Sequence, residues 1–124
     1  WSLAFLPGGS ILVTERLPGK MRILDAKGSV SEPLGGVSAV AAPGAKDVGL
    51  LDVMLDPGFA ANRRIFFTFF DYIDGTNSNT RVARARLDEA KGALTDVVVV
   101  FRALPDMPSK RLGGKTGGRI AIGR

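Results

Sequence analysis

The sequence predicts an all-β chain assembled from propeller blades, and three observations lead there. Short apolar runs separated by Gly- and Pro-bearing turns recur along all 124 residues. No window carries a helical stripe of useful length. The start of one strand group also returns 50 positions later, with Leu3-Ala4-Phe5-Leu6-Pro7-Gly8 matched by Val53-Met54-Leu55-Asp56-Pro57-Gly58.

Taken in order, Trp1 to Leu6 reads as a strand that ends at the turn Pro7-Gly8-Gly9. Ile11 to Glu15 is the second strand. Met21 to Leu24 follows the turn Leu17-Pro18-Gly19, and Asp25-Ala26-Lys27-Gly28 closes a three-stranded meander. A second group begins with Leu50 to Leu55, turns at Asp56-Pro57-Gly58, and continues through Ile65 to Tyr72, Thr80 to Leu87 and Val97 to Ala103. Asp88 to Gly92 reads as a hairpin connection. In both groups an apolar strand follows the repeated start, Ile11-Leu12-Val13-Thr14 in one and Ile65-Phe66-Phe67-Thr68 in the other. A third start is expected at Arg119-Ile120-Ala121-Ile122-Gly123.

A repeat of roughly 40 to 50 residues carrying about four strands is the mark of a propeller blade. The expectation is therefore two to three blades, with repeat starts near residues 1, 50 and 118. A blade cannot cover both of its faces alone. Ile65 to Phe70 and Val97 to Phe101 are apolar on both faces, as strands between blades are. Left without neighbouring blades, such strands predict self-association or a companion segment that completes the ring.

Composition narrows the function. Hydrophobic residues make up 45% of the chain, enough for a packed core. With no cysteine there is no disulfide or thiolate metal site, and with no histidine the commonest general base and metal ligand is missing. No signal peptide is visible, and the longest apolar stretch, Ile65 to Phe70, is too short to cross a bilayer. The net charge of +5 is densest at Lys110, Arg111, Lys115, Arg119 and Arg124. A solvated face accounts for it better than a nucleic-acid site.

Four local patterns resemble functional sites and read more simply as structure. Gly114-Lys115-Thr116 resembles the end of a phosphate loop, but Ser109 stands where the first Gly belongs, and Gly117-Gly118 follow in place of a helix. Asp71, Asp74, Gly75, Thr76 and Asn77 are oxygen-rich but lack the alternate ligand spacing of a calcium loop, so a solvated hairpin is expected. Phe66, Phe67, Phe69 and Phe70 read as core between blades. Arg81, Arg84 and Arg86 read as the solvated edge of a strand.

Four segments then carry a resemblance. Trp1-Ser2-Leu3-Ala4-Phe5-Leu6-Pro7 with Leu12-Val13-Thr14-Glu15-Arg16 resembles W-S-L-A-F-L-P-D-G and L-V-T-E-R. Gly49-Leu50-Leu51-Asp52-Val53-Met54-Leu55-Asp56-Pro57-Gly58-Phe59 is similar to G-L-L-D-V-A-L-H-P-D-F. Val100-Phe101-Arg102-Ala103-Leu104-Pro105 resembles I-F-R-Q-L-P, and Gly113 to Ala121 is similar to G-N-H-F-G-G-R-L-A. These are the motifs of the soluble aldose sugar dehydrogenases (glucose/sorbosone dehydrogenases) that use pyrroloquinoline quinone (PQQ).

The resemblance implies a six-bladed propeller of roughly 300 residues or more, of which this chain is the N-terminal part. It implies a sugar substrate, PQQ and calcium as cofactors, and a periplasmic or secreted location. It also implies an oxidation in which a hydride passes to the quinone while a His acts as general base. That His position is Lys115 here. The position before it is Gly114, and a Gln near the cofactor in the family is Asp47. A lysine with an ordinary pKa of about 10.4 is protonated at neutral pH, so a chain with Lys115 at the base position is expected to be inactive alone. The alternative is a non-catalytic propeller module that binds carbohydrate or a protein partner, completing a ring by self-assembly.

Overall fold

A computed structural model describes residues 1–17, 19–37, 49–72, 77–108 and 117–123. The first sheet is an antiparallel meander of β1 (Ser2–Phe5), β2 (Ile11–Glu15) and β3 (Lys20–Leu24) in the order β1-β2-β3. Its register pairs Ser2 with Thr14 and Thr14 with Met21. Alternation along β2 buries Leu12 and Thr14 and leaves their neighbours half-buried, as expected of a strand with one covered face.

The second sheet contains β4 (Gly49–Leu55), β5 (Arg64–Tyr72), β6 (Asn77–Asp88) and β7 (Ala93–Arg102) in chain order, with β8 (Met107–Pro108) added to β6. A single helical turn, α1 (Phe59–Asn62), lies between β4 and β5 and tucks Phe59 into the core. The sequence carries no helical periodicity there because four residues are too few to show one.

The core lies between the two sheets. Leu6, Leu12 and Met21 of the first meet Leu50, Val53, Ile65, Phe67 and Phe69 of the second, with Ala83, Ala85, Leu87 and Leu94 completing it. Leu34 and Val37, in the segment that leaves β3, close one end. That segment is tied to both sheets: the Leu34 N–H donates to the Met21 carbonyl at 2.8 Å, and the Leu94 N–H donates to the Gly35 carbonyl at 2.8 Å.

Two expectations about the strands are corrected. Ile65 to Phe70 is not laid open: Ile65, Phe67 and Phe69 are fully buried, and Thr68 and Phe70 nearly so. β5 sits in the middle of its sheet, the first sheet covers one face, and residues 117–120 approach the other. The exposed apolar strand is β7, where Val98, Val99, Val100 and Phe101 all keep contact with water. The arginines also do not line an edge, because β6 is paired on both sides. Its alternate residues Ala83, Ala85 and Leu87 go to the core, which sends Arg84 and Arg86 to the opposite face. Arg81 meets Asp71 across the β5–β6 pair at 3.1 Å.

The expected third strand at 119–123 has no regular pairing; these residues dock through hydrogen bonds described below. Where the two sheets meet, Gly49 is so close to the residue that follows β2 that an added Cβ would overlap the Arg16 carbonyl oxygen. Rotating a side chain cannot relieve a clash with backbone. Gly49→Ala is therefore expected to cost about 2 kcal/mol in chemical denaturation, while Gly117→Ala, whose Cβ meets nothing within 4 Å, should change little. Equal effects would mean that the sheets do not approach at Gly49.

Candidate functional site

The strand pairings bring several chain segments to one end of the molecule. Ser2 at the start of β1 lies opposite Thr14 at the end of β2, which in turn lies opposite Met21 at the start of β3. Gly49 at the start of β4 lies opposite Phe70 near the end of β5, which pairs with Thr80 early in β6. Arg102, at the end of β7, pairs with Arg81 at that same end. Trp1 lies here too, its ring covered by the Arg16 guanidinium at 4.9 Å.

The three residues singled out from sequence, Asp47, Gly114 and Lys115, lie outside the described residues, as do Lys110 and Arg111. The described residues that flank them, Gly49 and Gly117, both belong to this end. Trp1, Ser2, Asp52, Gly117, Gly118 and Arg119 line a cavity of about 240 Å³. It adjoins a wider opening of about 550 Å³ that reaches Val13, Met54 and Ile120.

Asp52 is the hub of this seam. Its Oδ1 accepts the Ser2 hydroxyl at 2.6 Å and the Val53 N–H at 3.1 Å, while its Oδ2 accepts the Ile120 N–H at 2.8 Å. One carboxylate thus joins β1, β4 and the segment 117–123. Charge-assisted bonds of this kind are shorter and stronger than neutral ones. Two threonines, Thr14 and Thr68, add hydroxyl bonds on either side of β4.

A second polar group sits where β7 turns toward β8. Asn79, buried, donates from Nδ2 to Asp106 Oδ1 at 2.6 Å and accepts Arg81 Nε–H at 3.1 Å, while Arg102 bonds Asp106 Oδ2 at 2.5 Å. The Arg102 guanidinium holds the Asp106 carboxyl below its ordinary value, partly opposed by desolvation. This group fixes the turn that carries Leu104 and Pro105 over a small apolar cavity lined by Phe70, Thr80 and Met107.

The described residues are too few to form a PQQ or calcium site by themselves. Among them no cluster of three or more acidic, His or Cys side chains could hold a metal ion. The cavity beside Asp52 presents the Arg119 side chain next to the Asp52 carboxylate, which would repel an anionic quinone. No described helix is long and apolar enough to cross a membrane.

Sequence reasoning missed Ser2, Thr14, Asp52 and Thr68. The signal was present: the repeat that aligns Leu3 with Val53 also aligns Ser2 with Asp52, and the second-strand match aligns Thr14 with Thr68.

Comparison with known proteins gives one consistent result. The model of the glucose/sorbosone dehydrogenase family matches residues 1–124. The aldose sugar dehydrogenase YliI of Escherichia coli is 37% identical over 122 residues, which is 98% of this chain and 32% of that protein. Among solved structures, the apo-form of the soluble aldose sugar dehydrogenase from Escherichia coli superposes with a TM-score of 0.83 at 38% identity, over 98% of this chain and 34% of that one. The PQQ-bound aldose sugar dehydrogenase from Streptomyces coelicolor gives a TM-score of 0.69 at 31% identity, over 85% of this chain and 30% of that one. The chain thus spans about a third of the length of these relatives. Its two sheets are part of a β-propeller.

Proposed function

The chain belongs to the glucose/sorbosone dehydrogenase family, and from that premise we propose that it is part of a propeller enzyme that oxidises aldose sugars in the periplasm or outside the cell. PQQ, when bound, supplies the hydride acceptor. The likeness to a soluble aldose sugar dehydrogenase over 98% of the chain carries this reading.

Blades begin near residues 1, 50 and 118 in this proposal, and the segments between them bring Asp47, Gly114 and Lys115 to the sugar and cofactor end. Gly118 supports that placement, since its carbonyl is held by Thr68, the same side chain that accepts the Asp52 N–H. Lys115 takes the base position. A lysine with an ordinary pKa is protonated at neutral pH and cannot accept the hydroxyl proton, so a residue of this type at the base position is expected to lower turnover.

That same lysine favours a second reading, a carbohydrate-binding propeller without catalysis that completes its ring by self-association. Dye-linked glucose oxidation by the intact protein, with PQQ and calcium added, separates the two. Slow turnover that depends on added PQQ supports the dehydrogenase. Sugar binding by calorimetry without turnover, together with a multimeric mass by light scattering, would overturn it in favour of the second reading.

A further inference from the structure

The hydrogen bonds of Thr14 and Thr68 have the same pattern. Thr14 Oγ1 accepts the Ser2 N–H at 3.0 Å within its own sheet. Its hydroxyl has the Leu51 carbonyl at 2.8 Å and the Ser2 carbonyl at 3.3 Å within reach. A hydroxyl carries one proton, so the nearer acceptor, on the next sheet, receives it. Thr68 Oγ1 accepts the Asp52 N–H at 2.9 Å within its own sheet and donates to the Gly118 carbonyl at 2.5 Å in the segment that follows.

The acceptors correspond as well. Leu51 immediately precedes Asp52, and Gly118 immediately precedes Arg119. Aligning Leu3, Val53 and Ile120 makes Ser2, Asp52 and Arg119 equivalent positions. In both cases, then, the second-strand threonine binds the N–H of this position in its own repeat. It then hands its proton to the carbonyl one residue ahead of the same position in the next. Close backbone approach accompanies the second case: a Cβ on Gly118 would come within 2.6 Å of Leu51 Cδ1 and 2.9 Å of Thr68 Oγ1.

We infer that Thr14 and Thr68 are one part used twice, a threonine clip that joins each repeat's leading strand to the next and positions residues 117–120 at the site end. Leading strands sit at sheet edges, where carbonyls and N–H groups have no ladder partner on one side. The clip satisfies the Leu51 carbonyl of β4 and the Gly118 carbonyl of the segment that follows, and so sets how far the next repeat stands from the last. The bearing of the clip on position 115, three residues before Gly118, rests on the dehydrogenase reading; the clip itself does not.

Native-state hydrogen exchange on the intact protein tests it without reference to activity. Thr68→Val keeps the shape but removes both bonds. It should speed exchange of the Asp52 and Ile120 amides by at least tenfold and leave the Ser2 amide unchanged, and Thr68→Ser should restore protection. Thr14→Val should do the converse, exposing Ser2 and sparing Ile120. The idea is overturned if Thr68→Val leaves Asp52 and Ile120 protected, or if every amide loosens by the same factor, as a general loss of stability would cause. Should Thr68→Val fail to fold, Thr14→Val and Thr68→Ser decide the matter alone.

Discussion

Phe67→Ala is expected to lower the stability of the chain by about 4 kcal/mol, the largest effect of any single truncation in the core. Phe67 is fully buried at the centre of β5, opposite Ala83 on β6 and Val53 on β4, with its ring 5.9 Å from that of Phe69. Ala83 and Ala85 are small, so no bulky neighbour on that side can lean in to fill the space. The cost therefore combines lost burial with an unfilled cavity. Phe101→Ala removes a ring of the same size that is 57% exposed, and should change stability by less than about 0.5 kcal/mol. Urea denaturation of both variants at one protein concentration gives the comparison. A loss below about 1 kcal/mol for Phe67→Ala would mean that the two sheets do not share this core.

On the proposed dehydrogenase reading, with position 115 as the base position, replacing Lys115 with His is expected to raise PQQ-dependent glucose turnover by roughly 100-fold at neutral pH, the lower end of what a positioned general base contributes. An imidazole of ordinary pKa is largely neutral at neutral pH and can accept a proton, whereas a lysine of ordinary pKa is protonated there. Lys115→Gln serves as the control, since it removes the charge without supplying a base. A rise in turnover with His but not Gln assigns the deficit to the missing base. Equal rates in all three forms would remove position 115 from the chemistry.

The strands of both sheets were legible from residues 1 to 103 because turn chemistry marks their ends. The limits of Ile11–Glu15 follow from its sequence, and β6 is longer than expected because Asn77 to Asn79 carry no apolar signal. Burial was legible for β5 in kind but not in cause. Sequence shows that Phe67 and Phe69 are apolar, whereas their enclosure depends on how the first sheet lies over them. The edge role assigned to Arg81, Arg84 and Arg86 failed for a related reason: a charged stripe marks a wetted face, and an interior strand can have one.

Asp47, Gly114 and Lys115 lie outside the described residues, while the seam around Asp52 is made by ordinary Ser, Thr and Asp side chains. Such residues attract little notice singly. Their equivalence shows only when the two repeats are aligned and the second-strand threonines are read alongside the leading strands.

The slip of register in β4, between Leu50 and Val53, has a consequence for any attempt to regularise this protein. One surplus residue lets Leu50 and Val53 both face inward while Leu51 plugs the far side and Asp52 reaches its two neighbours. A shortened version with an unbroken ladder would lose either the plug or the carboxylate. What resembles a flaw in the pleat is how a single strand addresses three directions at once, and an idealised redesign that straightened it would disconnect the parts it was meant to tidy.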